Sequence, residues 1–412
     1  MFDLVVIGGG AAGFYGAIRA AEANNTLSIL ILEKTTKLLS KVRVSGGGRC
    51  NVTHDCFEPK PLASHYPRGE KPLRELFRQH QAKDVVNWFA GHGVKLKAEE
   101  DGRMFPVTDD SQTIIDCFLR QVQRHTIQIK LSKSVTTIRR DHHSLKVVCE
   151  DGSLFETKNV LVTIGGHANA GAYEWLKELG HTVDKPIPSL FTFNDSKKEF
   201  TSLMGVSVPN ALVKIEGTKF LQNGPVLITH WGLSGPAIIK LSAWAAEYLH
   251  QHQYVFSVLV SWVGGIKEEE LRQKLQDYKE KHPKLQIRNH TLFELPARLW
   301  EKLCEQAEIE EGKIWGELPL KNSNKLLENL LRCRFNIRGK TTFKEEFVTC
   351  GGVSLHDVNL QTMESKKIPH LYFAGEVLNI DGETGGFNFQ AAWTTAYIAA
   401  LSISGLKNEP IF

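Results

Sequence analysis

Leu4-Val5-Val6-Ile7-Gly8-Gly9-Gly10-Ala11-Ala12-Gly13 opens the chain with a short β-branched run that breaks into glycines. The run has the composition of a strand buried in a parallel sheet, and 11–22 is Ala-rich and free of proline, as a helix would be. A second apolar strand, 28–32, ends in Glu33, twenty residues after Gly13. Strand, G-x-G-x-x-G, helix, strand and acid in that order make a dinucleotide-binding unit. Gly8 permits the tight turn, Gly10 lets backbone approach a diphosphate, and Gly13 lets the helix pack on the strand. Ala11 and Ala12 place N–H groups at the positive helix end, where a diphosphate is stabilised. Glu33, with Lys34 after it, is placed to accept hydrogen bonds from ribose hydroxyls. A 2′-phosphate there would meet a carboxylate, so FAD or NAD is expected.

A second glycine-rich loop favours FAD. Lys41, Ser45, Gly46, Gly47, Gly48, Arg49, Cys50 and Asn51 fall in one basic stretch just after the acid. Consecutive glycines leave backbone N–H groups free to turn toward an anion or a flat ring. Near the far end, 370–373 reads as a strand running into Gly375 and Glu376, and Gly385, Gly386, Phe387 and Asn388 open an Ala-rich helix over 388–402. The N–H groups of that helix suit the pyrimidine edge of an isoalloxazine, with Glu376 or Asp381 on the ribityl hydroxyls. The two ends must then meet in one domain. Between them, 111–125 has helical spacing, and 127–129, 135–138, 145–149, 154–157 and 160–164 read as strands. Val135 is expected beside the adenine, and Thr163 and Gly165 at the strand end near the ADP.

These motifs, together with Gly102-Arg103-Met104-Phe105-Pro106 and Thr229-His230-Trp231-Gly232-Leu233-Ser234-Gly235-Pro236, resemble the BaiN/YhiN group of FAD-dependent oxidoreductases across residues 4 to 402. The resemblance implies a glutathione-reductase-type (Rossmann-like) domain of the α/β class with non-covalent FAD. It also implies an inserted mixed β-barrel and helical domain. The division expected is 1–185 and 346–412 for the FAD-binding domain and 186–345 for the insertion. Members of the group have been linked to reduction of conjugated enones in steroid-like acids and to oxidation of small amines such as aminoacetone. One departure is 164–173, where members often carry a longer Ser/Thr/Gly-rich stretch.

The leading expectation is hydride transfer between flavin N5 and a small organic substrate, as NAD(P)H-linked reduction of an unsaturated compound. A flavin amine oxidase using oxygen and a non-catalytic FAD-binding or redox-sensing protein are the alternatives. There is no second G-x-G-x-x-G and no paired-cysteine redox motif, so NADH or NADPH would dock transiently over the ring. His230 is a candidate acid-base, and Arg49 is a candidate substrate anchor beside the flavin. Trp231, Trp244 and Phe191-Thr192-Phe193 hint at an apolar lid.

Composition narrows the classes further. Lys+Arg 50 against Asp+Glu 46, with no long basic run, offers nothing obvious for nucleic acid. A flavin-dependent RNA-modifying enzyme is therefore the weaker expectation, and no nucleic-acid partner is expected. Seven scattered cysteines make neither a disulfide framework nor a zinc spacing, so no metal is expected and a reducing cytoplasm fits. No apolar stretch reaches the ~18 residues of a membrane helix.

Overall fold

The computed structural model describes residues 1–141, 144–341 and 348–406. The chain divides into two compact units, 1–189 with 344–412, and 190–343. The expected boundary at 345/346 lies outside the described residues.

The first unit is built on a parallel sheet. Phe2–Ile7 pairs in parallel with Ile29–Leu32 on one side and Leu154–Val162 on the other; Gln128–Lys130 and Leu371–Phe373 extend the sheet outward. Leu4, Val5 and Val6 are fully buried, as a strand covered on both faces requires. Each such side chain contributes about 1.5–3 kcal/mol on removal from water. The strand segments expected at 154–157 and 160–164 are one strand, Leu154–Val162. Its first half pairs antiparallel with Ser144–Cys149, and its second half enters the parallel sheet. Lys158 and Asn159 look like a break between two apolar runs, but they mark only the point where the strand changes neighbours.

Two helices cover one face. Ala11–Ala23 and Phe387–Ile403 pack so closely that a Cβ on Gly16 would lie 2.7 Å from Leu161 and 3.5 Å from Ala396. Phe387–Ile403 has buried residues on every side, including Trp393, and belongs to the core rather than to the surface. The N- and C-terminal parts of the chain thus share one hydrophobic core. Four short helices lie between residues 40 and 91, a span in which the sequence reading describes only the loop at 41–51.

Val183–Ser189 and Val348–Val353 pair antiparallel as the chain leaves and re-enters this unit. The second unit is a closed six-stranded antiparallel barrel of Thr192–Asp195, Gly232–Ser234, Leu221–Ile228, Ser207–Ile215, Val255–Ser261 and Cys333–Thr341. Its own core includes Phe193, Val213, Val258, Trp262 and Trp300. Two helices follow the motif at 229–236, Pro236–Trp244 and Ala246–Gln251.

Candidate active site

Close backbone approaches explain the first glycines. Gly8 has φ +113, and a Cβ there would stand 2.4 Å from the Thr163 carbonyl; at Gly13 it would stand 2.0 Å from the Gly8 carbonyl. The Thr163 hydroxyl donates to the Ile7 and Gly8 carbonyls, both at 3.0 Å, and locks two strand ends together. Gly10 caps the Ala11–Ala23 helix without a side-chain hydrogen bond, and a Cβ on it would meet nothing within 4 Å. The helix N-terminus therefore presents uncapped N–H groups beside open space, the arrangement a diphosphate needs.

Glu33 continues this half of the site. Its Oε2 accepts from the Gly9 N–H at 2.8 Å, and its Oε1 accepts from the Thr35 N–H and hydroxyl at 2.8 and 2.9 Å. A carboxylate has about four lone-pair positions, so acceptor capacity remains for a ribose hydroxyl. Next to it lies a cavity of ≈ 420 Å³ lined by Gly8, Glu33, Lys34, Val135, His167 and Trp175, among others. Glycine loop, acid and Val135 meet there, and size and chemistry fit an adenosine. Gly165 has φ +76 with open space at its Cβ position. Trp175 has no counterpart in the sequence reading, because the helix Glu174–Glu178 that holds it falls outside the dinucleotide spacing, and His167 lies in the stretch 164–173, which shows there only as a departure from the family pattern. Burial pulls the His167 imidazole below its usual range, which keeps it neutral.

In the second loop, Gly46, Gly47 and Gly48 all have positive φ, and the Cβ positions of Gly47 and Gly48 are open. The loop is held from behind: the Ser45 hydroxyl donates to Val42, and the Ser111 N–H donates to the Gly48 carbonyl. Arg49 lies 3.9 Å from the centre of the Phe105 ring and pairs with Glu99 at 2.6 Å and Asp109 at 3.5 Å. Its charge is thus already matched by two carboxylates, an arrangement the sequence did not show. Burial pushes the Cys50 thiol up to about 12, so it stays protonated and unreactive at neutral pH. Asn51, with its amide oriented to satisfy both ends, donates to the Thr53 carbonyl and accepts from the Gly386 N–H at 2.9 Å. That bond ties this loop to the start of the C-terminal helix.

At the C-terminal side, Gly375 has φ +77 and its Cβ position lies 2.9 Å from Ala12, so the two half-sites touch. Glu376 bonds Lys41 at 2.6 Å. Asp381, expected at the ribityl hydroxyls, is engaged elsewhere. It is fully buried, ion-paired with Arg68 and bonded by the Ser189 hydroxyl at 2.8 Å. Gly386 leads the helix with φ +91, where a Cβ would stand 2.5 Å from the Thr53 carbonyl. Phe387 is buried and packs against both His54 and His65, at ring distances of 4.6 and 4.2 Å, with the two imidazoles 5.9 Å from each other. Asn388 folds back on Gly382 through both amide ends. His65 contacts Glu383 at 3.1 Å. The sequence reading missed His54, His65, Arg68 and Glu383, since no short motif joins them.

His230 belongs to the second unit, exposed in the turn between Leu221–Ile228 and Gly232–Ser234 and edge-on to Trp231 at 4.3 Å. Phe191 and Phe193 are buried in the barrel core and form no lid. The seven cysteines are all free thiols. Among the described residues there is no cluster suited to a metal ion and no helix long and apolar enough to cross a membrane.

A Rossmann-type sheet carrying two glycine-rich half-sites, with a barrel inserted in the chain, defines an FAD-dependent oxidoreductase. The chain belongs to the HI0933-like protein Rossmann domain family, which matches residues 2–402. It is 29% identical to the ribosomal RNA dihydrouridine synthase of Escherichia coli (strain K12), over 99% of each chain. It is 26% identical to the 3-dehydro-bile acid delta(4,6)-reductase of Clostridium scindens, over 96% of this chain and 97% of the other. The crystal structure of 3-ketosteroid-delta4-(5alpha)-dehydrogenase from Rhodococcus jostii RHA1 shares the fold with a TM-score of 0.52, 14% identity and coverage of 97% and 96%.

Proposed function

We propose that this protein is an FAD-dependent reductase that saturates a carbon–carbon double bond conjugated to a carbonyl, with NADH or NADPH as reductant and uracil in ribosomal RNA as substrate. The observation that carries the reading is end-to-end likeness to two relatives whose names describe such a reduction. One yields dihydrouridine in ribosomal RNA; the other acts on delta(4,6) bonds of a bile acid. Both are matched over nearly their whole length, and the first shares the higher identity, 29% against 26%, which favours RNA over a steroid.

The residues divide the work by position. FAD, when bound, supplies the two-electron hydride store. Gly8, Gly10 and Gly13 with the N–H groups at Ala11 and Ala12 would hold the diphosphate, Glu33 the adenosine ribose, and the cavity at Val135 the adenine. Gly47 and Gly48 leave open backbone for the ring system, and Lys41 paired with Glu376 stands at the junction of the half-sites. Phe387, Asn388 and Asn51 hold the turn at the start of the C-terminal helix. Saturation also needs one proton at the carbon next to the carbonyl, the work of a general acid such as an imidazole.

The experiment is anaerobic incubation of the purified protein with FAD, NADPH or NADH, and ribosomal RNA lacking dihydrouridine, followed by nucleoside mass spectrometry. Appearance of a uridine two hydrogens heavier is the expected result. Unchanged RNA together with reduction of a steroid-type enone would overturn the RNA assignment. A flavin reduced by aminoacetone but not by a nicotinamide would overturn the reductase itself.

A further inference from the structure

Strand alternation in the barrel assembles a basic face that the linear sequence hides. Cys333–Thr341 places Cys333, Phe335 and Ile337 in the core, each 2–4% exposed, and turns Arg334, Asn336 and Arg338 outward. The adjoining strand Val255–Ser261 buries Val258 and Val260 and turns Val255, Ser257 and Leu259 the same way, with Leu259 opposite Arg334 and Val255 opposite Arg338. One strand further, Lys214 lies opposite Leu259. Lys214, Arg334 and Arg338 thus share one sheet surface, with Ser257 and Asn336 as polar groups between them.

The face is open and net positive. Arg334 keeps 57% of its side chain exposed while bonding the Ser257 hydroxyl at 3.3 Å and Glu216 at 2.8 Å. Glu216 lies just beyond the end of its strand, and the outward positions of the three strands carry no carboxylate. At about 3.4 Å per residue and about 4.8 Å between strands, Arg334 and Arg338 stand about 13 Å apart and Lys214 about 10 Å from Arg334. That span lets one extended polyanion meet all three cations. Charges held by a rigid sheet also lose less freedom on binding than charges on a loop.

We infer that this barrel face docks the phosphate backbone of the RNA substrate, placing Lys214, Arg334 and Arg338 against separate phosphates of it. The inference rests on the RNA reading above and adds where the RNA is held. It assigns no base recognition to these residues, because phosphate contacts position a nucleic acid without reading it.

The test compares wild-type protein with the triple variant Lys214→Gln, Arg334→Gln, Arg338→Gln by titrating in vitro transcribed ribosomal RNA at several salt concentrations. A control variant carries Lys274→Gln, Lys281→Gln and Lys321→Gln, exposed lysines on the helices Glu268–Lys281 and Leu320–Arg332. Loss of three phosphate contacts should lower the slope of log affinity against log salt by about 2 to 3 and weaken binding roughly 10-fold or more at low salt. Flavin content and melting temperature should match wild type, and the control should bind RNA as wild type does. Equal affinity and slope in the triple variant, while wild type still forms dihydrouridine, would overturn the docking face and leave the proposed function standing. A wild-type protein that binds no RNA removes both. Preference for vesicles of anionic lipid over RNA, lost in the triple variant, would also overturn the inference, since the face would then serve a membrane.

Discussion

Gly10 and Gly13 lie three positions apart in the sequence and do different work. A methyl on Gly13 runs into the Gly8 carbonyl at 2.0 Å, whereas a methyl on Gly10 meets no protein atom within 4 Å. Gly13→Ala should therefore cost about 1–3 kcal/mol of stability and release the flavin. Gly10→Ala should leave the melting temperature of the flavin-free protein unchanged and still purify with little flavin, because its methyl stands where a diphosphate approaches. Flavin absorbance relative to protein, with a thermal melt, separates the two outcomes. His80 gives a second single-residue prediction. Buried against Tyr15, whose hydroxyl is 2.9 Å from its Nε2, it is pulled from 6.5 to about 3 by burial. The unfolded chain takes up this proton near 6.5, and the folded chain only near 3. Proton uptake therefore favours unfolding across that window: the stability is present above 6.5 and falls with pH at up to about 1.4 kcal/mol per unit. His80→Gln should flatten the decline in melting temperature between pH 7 and 5; an unchanged profile would show that His80 is not the group responsible.

Among the elements, the connection between Val183–Ser189, the loop before the C-terminal helix and the short helices after residue 58 depends on one buried ion pair. Arg68 and Asp381 are 12% and 0% exposed, and Ser189 completes the group. Removing one partner of such a pair leaves a buried charge and costs about 3–5 kcal/mol. Arg68→Ala should lose that much in urea unfolding, and Asp381→Asn, which keeps the polar volume, should lose less. This cluster marks the limit of what the sequence reveals. Gly8, Gly13 and Glu33 are legible because their geometry is local: a turn, a helix and a strand bring them together within thirty residues. Arg68 and Asp381 lie 313 positions apart, and nothing in either segment names the other. Asp381 next to Gly382 reads as a loop acid for a cofactor, yet the fold turns it inward. The barrel follows the same rule. Arg334 and Arg338 are visible as charges, but the pairing that turns them outward beside Lys214 exists only once the sheet closes.

For the whole molecule, one Rossmann-type unit holds both glycine-rich half-sites, and one barrel unit carries His230 and the basic face. The chain carries a single nucleotide-binding fingerprint, and under the proposed function a nicotinamide and the acceptor would use the flavin in turn. Alternating use of one flavin predicts that reduction and reoxidation can be watched separately. The decisive measurement is the flavin's visible absorbance under strict anaerobiosis, first on addition of NADPH or NADH and then on addition of ribosomal RNA that lacks dihydrouridine. Bleaching by the nicotinamide followed by return of colour with the RNA, in proportion to dihydrouridine formed, is the expected result. Bleaching that the RNA does not reverse, or no bleaching at all, would contradict an RNA-reducing flavoenzyme.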